Sequence, residues 1–166
     1  MKTEIIRVTE DKKDTLANLL EKYLYEFSQY DKQQYGNDGL FSYKYLDNYF
    51  TEKSRFAYFI YADNQLAGFA LLNKYHECER PIDWSIAEFF VSYNFRNQGV
   101  ATEAVRQIFE KHKGHYHIKY HKKNTASVIL WNHVAKKYSG GNYEIVTGDE
   151  PFDDGTEATV LFFEVK

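Results

Sequence analysis

The chain has 166 residues, 43% of them apolar, which is enough to bury one ordinary core and makes a single domain over residues 1–166 the expectation. A formal net charge of −3 gives no global attraction to nucleic acid or to an anionic membrane, and the small basic clusters "KYHKKN" and Lys136-Lys137 do not reverse that. No stretch approaches the length of a membrane span, "MKTEIIRVTEDKK" has no apolar signal region, and the single cysteine, Cys78, allows no internal disulfide; a cytoplasmic monomer or homodimer is expected.

"TEIIRVT" reads as a short β-branched strand. The helix after it has the apolar face Leu16, Leu19, Leu20, Tyr23 and Phe27, at helical spacing. Tyr25 is off that stripe, free for a cleft or for solvent. The tyrosine-rich segment that follows is expected to hold a short second helix around Tyr43 to Phe50. "RFAYFIYA" and "LAGFALLNKY" form a hairpin about the turn Ala62-Asp63-Asn64-Gln65. "HECERPID" is a polar loop, in which Pro81 bars an uninterrupted central strand and Cys78 has no evident base beside it.

An apolar strand then ends at Val91, and a helix runs from the following turn to near Gly114. "HYHIKYH" alternates as a strand; His115 and His117 share a face but lack a third ligand at metal spacing, so no metal is expected. "NTASVILWNHVAKKY" is a helix capped by Asn124 or Thr125 and ended by Gly140-Gly141. "NYEIVT" and "ATVLFFEV" close the chain. The order β-α-α-β-β-β-α-β-α-β-β predicts an α/β (α+β mixed) domain, a mixed sheet flanked by helices.

The chemistry concentrates in "VSYNFRNQGVATEAV", which begins at Val91. An apolar strand runs into a glycine-bearing turn and the first turn of a helix, where unpaired N–H groups and the helix dipole favour an anion. Gly99 lets backbone approach a ligand closely, Ala101 is small, and Arg96 can meet phosphate charge. The segment is neither the GxxxxGK[ST] nucleotide loop nor the GxGxxG dinucleotide fingerprint.

"EFFVSYNFRNQGVATEAV" resembles the acyl-coenzyme A signature of the GCN5-related N-acetyltransferases (GNAT), commonly Q/R-x-x-G-x-G/A after an apolar strand. "NTASVILWNHVAKKY" is similar to that family's N-x-x-A-x-x-F/L-Y/W helix, with Asn124, Ser127, Leu130 and Trp131 on the motif positions. The element order matches over essentially the whole chain. The resemblance implies a mostly antiparallel twisted sheet of about seven strands with about four helices, and a splayed parallel pair that forms the acyl-CoA slot. It implies acetyl-CoA as co-substrate and transfer of its acetyl group to a primary amine of an unidentified acceptor by direct attack. Phe90 and Val91 would pair their backbone with the pantetheine arm, one N–H facing the thioester oxygen. Arg96, Asn97, Gln98, Gly99, Val100, Ala101 and Thr102 would surround the diphosphate, and Asn124, Ser127 and Trp131 would complete the donor site.

Two departures matter. Trp131 stands where the family often has the tyrosine assigned to protonate the departing thiolate, and an indole N–H is no titrating acid. Ser127 replaces the usual alanine. Trp131 in place of tyrosine also fits a non-catalytic acyl-CoA-binding or sensor module, the alternative function. The expected general base is Glu88, two residues before Phe90, where burial among aromatic residues would raise its pKa to a useful range. Tyrosines and the acidic residues Glu26, Asp31, Asp38 and Asp47 suit a cationic acceptor, such as a small amine, an aminoglycoside-like compound or a lysine side chain.

Overall fold

The structure is a computed structural model that describes residues 1–76 and 79–166, so the expectation for Cys78 lies outside the described residues. β1 (Thr3–Arg7) leads into α1 (Lys13–Asp31) and, after a long loop, the one-turn α2 (Asn48–Thr51). β2 (Phe56–Ala62), β3 (Gln65–Asn73) and β4 (Trp84–Val91) follow. α3 (Val100–Lys111), β5 (Gly114–His121), α4 (Thr125–Tyr138), β6 (Tyr143–Thr147) and β7 (Ala158–Val165) complete the chain. The seven strands make one sheet in the order β1-β2-β3-β4-β5-β7-β6, antiparallel except where β4 meets β5.

Local chemistry accounts for most of these boundaries. The β2–β3 turn is a two-residue one, with Asp63 (φ 46°) and Asn64 (φ 65°) both left-handed, which matches the twist of a hairpin. Of the two candidate caps for α4, Asn124 serves: its side chain accepts a hydrogen bond from the Ser127 N–H at 3.3 Å. The short second helix expected around Tyr43 to Phe50 is α2, a single turn at Asn48–Thr51 preceded by a turn. In this segment Tyr43 donates to Glu88, and the Arg55 guanidinium lies over the rings of Tyr45 and the buried Tyr49.

Each face of the sheet has its own core. α3 and α4 cover one face, with Val105, Ile108, Phe109, Trp131 and Val134 packed on Ile60, Ile86, Tyr116 and Ile118. α1 covers the other, placing Leu16 and Leu20 against Phe59, Phe69, Leu71 and Phe90. Both leucines are fully buried, a contribution of about 1.5–3 kcal/mol each.

Two irregularities shape the centre of the sheet. The β3–β4 register passes from Leu71↔Glu88 to Leu72↔Ile86, so Ala87 is an extra residue, a β-bulge. Without it Ile86, Glu88 and Phe90 would share a face. With it, Ile86 joins the α3–α4 core while Glu88 and Phe90 turn to α1. Gly68 on β3 makes the neighbouring approach possible: a Cβ there would lie 1.9 Å from the Phe90 carbonyl oxygen. The second irregularity is the parallel pair itself. β4 and β5 are in register only at Trp84↔Tyr116 and Ser85↔His117, and beyond them the strands splay.

Candidate active site

The splay opens into a cavity of about 1040 Å³. The last turns of α1 and residues 41–45 wall one side, and the N-terminal ends of α3 and α4 wall the other. Phe152, from the β6–β7 loop, closes one end.

Glu88 lies at the centre, on the α1 side. Tyr23 donates its hydroxyl proton to Oε2 at 2.5 Å, and Tyr43 donates to Oε1 at 3.2 Å. Burial pushes the Glu88 carboxyl up to about 7, against the two phenol hydrogen bonds, which favour the charged form. Desolvation raises the Tyr23 and Tyr43 hydroxyls as well, and the Glu88 charge adds to it, so both stay protonated as donors. The phenol partners are absent from the sequence reading. Tyr23 was legible only as a member of the apolar stripe, and Tyr43 only as part of a tyrosine-rich segment.

The opposite side is built on the β4–α3 turn. Asn97 (φ 59°) and Gly99 (φ 81°) are left-handed on either side of Gln98. No side chain caps α3, so its first N–H groups are left for another acceptor. A Cβ added at Gly99 would meet nothing within 4 Å, so the turn faces open space. Arg96, Asn97, Gly99, Val100, Ala101 and Thr102 line the cavity, as do Phe90, Val91, Asn124, Ser127 and Trp131. Gln98 does not: its side chain turns back to donate to the Asn94 carbonyl at 2.7 Å. The Trp131 ring packs edge-on against Phe89, with centroids 5.3 Å apart.

Arg96 reaches across to α1. Both terminal nitrogens meet the Glu26 carboxylate, at 2.9 and 2.8 Å, and Nε donates to the Val91 carbonyl at 2.6 Å. The guanidinium also lies 4.2 Å from the Tyr93 ring centroid. This pair ties α1 to the β4–α3 turn.

The β6–β7 loop is fixed by a buried cluster. His121 Nδ1 accepts from the Lys123 N–H, so Nε2 carries the proton that faces both Asp154 oxygens at 3.2 Å. Lys123 and the Thr156 backbone and hydroxyl donate to the same carboxylate, and together they hold it well below the usual range. Phe152 stacks on His121, centroids 4.6 Å apart.

The remaining expected residues divide. Glu26 and Asp31 line the cavity. Asp38 instead caps its own loop through the Leu40 N–H, Asp47 pairs with Lys13, and Tyr25 is exposed. His115 is paired with Asp83 and His117 with Ser85. Among the described residues no group of His, Cys, Asp or Glu is placed to hold a metal ion, and no helix is long and apolar enough to cross a membrane.

Residues 15–137 match the family model "Acetyltransferase (GNAT) family". The chain belongs to that family. The general reaction of that family is acetylation with acetyl-CoA as co-substrate, so membership supports an acyltransferase, and the splayed β4–β5 pair matches the family's fold. A sequence search of curated proteins finds no match. Solved structures share the fold at low identity. A GNAT-family acetyltransferase from Streptococcus agalactiae superposes with a TM-score of 0.71 at 18% identity, covering 99% of this chain and 95% of its own. The "histone acetyltransferase HPA2 and related acetyltransferase" of Corynebacterium glutamicum gives 0.73 at 10%, covering 100% and 98%. The ribosomal-protein-S18-alanine N-acetyltransferase of Escherichia coli gives 0.63 at 10%, covering 99% and 95%.

Proposed function

We propose that this GNAT protein transfers the acetyl group of acetyl-CoA to a primary amine by direct attack, with Glu88 as general base. The observation that carries the reading is a carboxyl with a pKa of about 7 that opens on the cavity beside the splayed strands. A base poised there is half ionised at neutral pH and can take the proton of an acceptor ammonium, directly or through one water.

The residues fit the co-substrate. The uncapped α3 N-terminus and the open face of Gly99 suit the diphosphate, which the backbone N–H groups from Gly99 to Thr102 would receive. Past Ser85 the β5-facing edge of β4 pairs with no strand, so Phe90 and Val91 can offer backbone groups to the pantetheine arm and a donor to the thioester oxygen. Asn124, Ser127 and Trp131 would flank that arm. Arg96, engaged by Glu26, would act mainly by holding the turn.

In the reaction, Glu88 accepts a proton from the ammonium, and the freed amine attacks the carbonyl carbon. A β4 N–H stabilises the oxyanion, and the tetrahedral species collapses by breaking its C–S bond, the second proton of the attacking nitrogen passing to the departing sulfur directly or through water. The departing group is a thiolate; with a thiol pKa of about 8.5 it leaves near neutral pH without a dedicated acid, which is consistent with tryptophan at position 131.

The test joins binding to turnover. Coenzyme A should raise the melting temperature where equal NAD or ATP does markedly less. Gly99→Glu, which puts a like charge in the diphosphate path, should abolish that shift. Primary amines should accelerate thiol release from acetyl-CoA. A coenzyme A shift without amine-dependent turnover would favour a non-catalytic acyl-CoA-binding module instead.

A further inference from the structure

Among the described residues three carboxylates line the cavity: Glu26, Asp31 and Glu88. Glu26 is neutralised by Arg96 through two hydrogen bonds. Glu88 is held by two phenols. Asp31 is different. It accepts only the Gln33 N–H at 3.0 Å, a local turn contact, and no cation pairs with it among the described residues.

The neighbouring cations are committed elsewhere. Lys32, next in sequence, donates to the Gln29 carbonyl at 2.8 Å. His121 faces Asp154, and the Lys119 ammonium lies 4.9 Å from the Phe152 ring centroid. Burial pushes the Asp31 carboxyl up and the nearby Asp153 and Asp154 charges add to it, against the Gln33 N–H bond and the His121 ring, which oppose it. The corner of the cavity around Asp31 is therefore a negative site without its counter-charge.

Its position relative to Glu88 is set by one helix face. Tyr23, Phe27 and Asp31 follow at i, i+4 and i+8 on α1 and all line the cavity. Tyr23 marks Glu88, the Phe27 ring stacks on Tyr23 with centroids 5.9 Å apart, and Tyr30 borders the Asp31 end. A rise of about 1.5 Å per residue puts Tyr23 and Asp31 about 12 Å apart along the axis. The stripe thus reads base, apolar ring, anion.

We propose that the acceptor is a linear diamine or polyamine, with one nitrogen reacting beside Glu88 while a second, protonated nitrogen is held by Asp31. The methylenes between them cross Phe27, and the Tyr30 ring at the Asp31 end favours the bound cation. This inference rests on the amine-acetylation reading above and adds the substrate class.

The test is a length series. Thiol release from acetyl-CoA is measured with the α,ω-diamines of propane, pentane and octane, each against the alkylamine of the same length. The octane diamine should exceed octylamine in kcat/KM by about tenfold or more, the range expected of a charged hydrogen bond. The propane diamine should show no advantage, because it cannot span the stripe. Asp31→Asn keeps the Gln33 turn contact and should bring the octane diamine-to-octylamine ratio near one, with the coenzyme A melting shift retained. Equal rates for octane diamine and octylamine, or a preference that survives Asp31→Asn, would overturn the proposal. Should no amine release thiol while coenzyme A still stabilises the protein, the amine-acetylation reading falls, and this inference with it.

Discussion

The two ends of the β4–β5 pair each bury an ionisable group beside a tyrosine, with opposite outcomes. At the paired end, the His112 ring packs against Trp84 and Phe56, centroids 4.5 and 4.7 Å apart, and shares a 2.7 Å hydrogen bond with Tyr58. Burial, reinforced by the Arg7 and Lys111 charges, lowers its pKa to about 4. At the splayed end, Glu88 rises to about 7. Burial drives both towards neutrality. Only Glu88 opens on a cavity, so only there is the perturbed group available to a substrate. A shifted pKa marks a site when space accompanies it; without space it marks a core.

Glu88→Gln tests this contrast most severely. It should lower kcat/KM by about a hundredfold or more near neutral pH, the usual share of a general base. The acid limb near pH 7 should vanish from the pH–rate profile, and the deficit should shrink at high pH, where the amine loses its proton unaided. Stability should move the other way. With its folded pKa raised, Glu88 binds a proton in the folded state that the unfolded state has released between about pH 4.5 and 7, so its contribution is present below that window and lost as pH rises through it. Thermal melts should find the variant relatively more stable at pH 8 than at pH 4.5.

His112 supplies the mirror-image prediction. Its folded pKa is depressed, so the unfolded state binds the extra proton, and stability is lost as pH falls from about 6.5 to about 4. The full loss is on the order of 3 kcal/mol. Urea unfolding at the two pH values should detect it, and His112→Phe should flatten the dependence even if it lowers stability overall.

Gly68→Ala asks whether the open end depends on close strand approach. A Cβ 1.9 Å from the Phe90 carbonyl must push β3 from β4, at a cost of about 1–3 kcal/mol, readable as a lower melting temperature. Because Phe90 flanks Glu88, turnover should fall by more than the loss of folded protein accounts for.

The smallest effect is expected at Trp131, whose ring packs on Phe89. Trp131→Phe should mainly raise KM for acetyl-CoA by a few-fold, and Trp131→Tyr should be tolerated. A hundredfold fall in kcat for Trp131→Phe, with donor binding unchanged, would show that the indole acts in the transition state.

What could be read along the chain was what the chain builds locally. The turn from β4 into α3 was legible in "RNQGVA" because a left-handed glycine, a small residue and an amphipathic helix occupy adjacent positions and answer to local sterics. The Asn124 cap and the Asp63-Asn64 hairpin were readable for the same reason. The acidity of Glu88 was anticipated from its aromatic neighbours, but its partners were not. Tyr23 lies 65 residues away and Tyr43 lies 45, and no local pattern states that their hydroxyls converge. The bulge at Ala87 that turns Glu88 towards them is a property of strand pairing, as is the parting of β4 and β5 after two registered pairs. Tertiary structure also sorted the charges, giving Arg96 to Glu26 and His121 to Asp154, while no ion pair reaches Asp31 among the described residues. Sequence spacing determined the helices, strands and the glycine-bearing turn before α3, because those follow from backbone geometry over a few residues. Which acids face the cavity, and which have a counter-charge, was decided only when distant segments packed together.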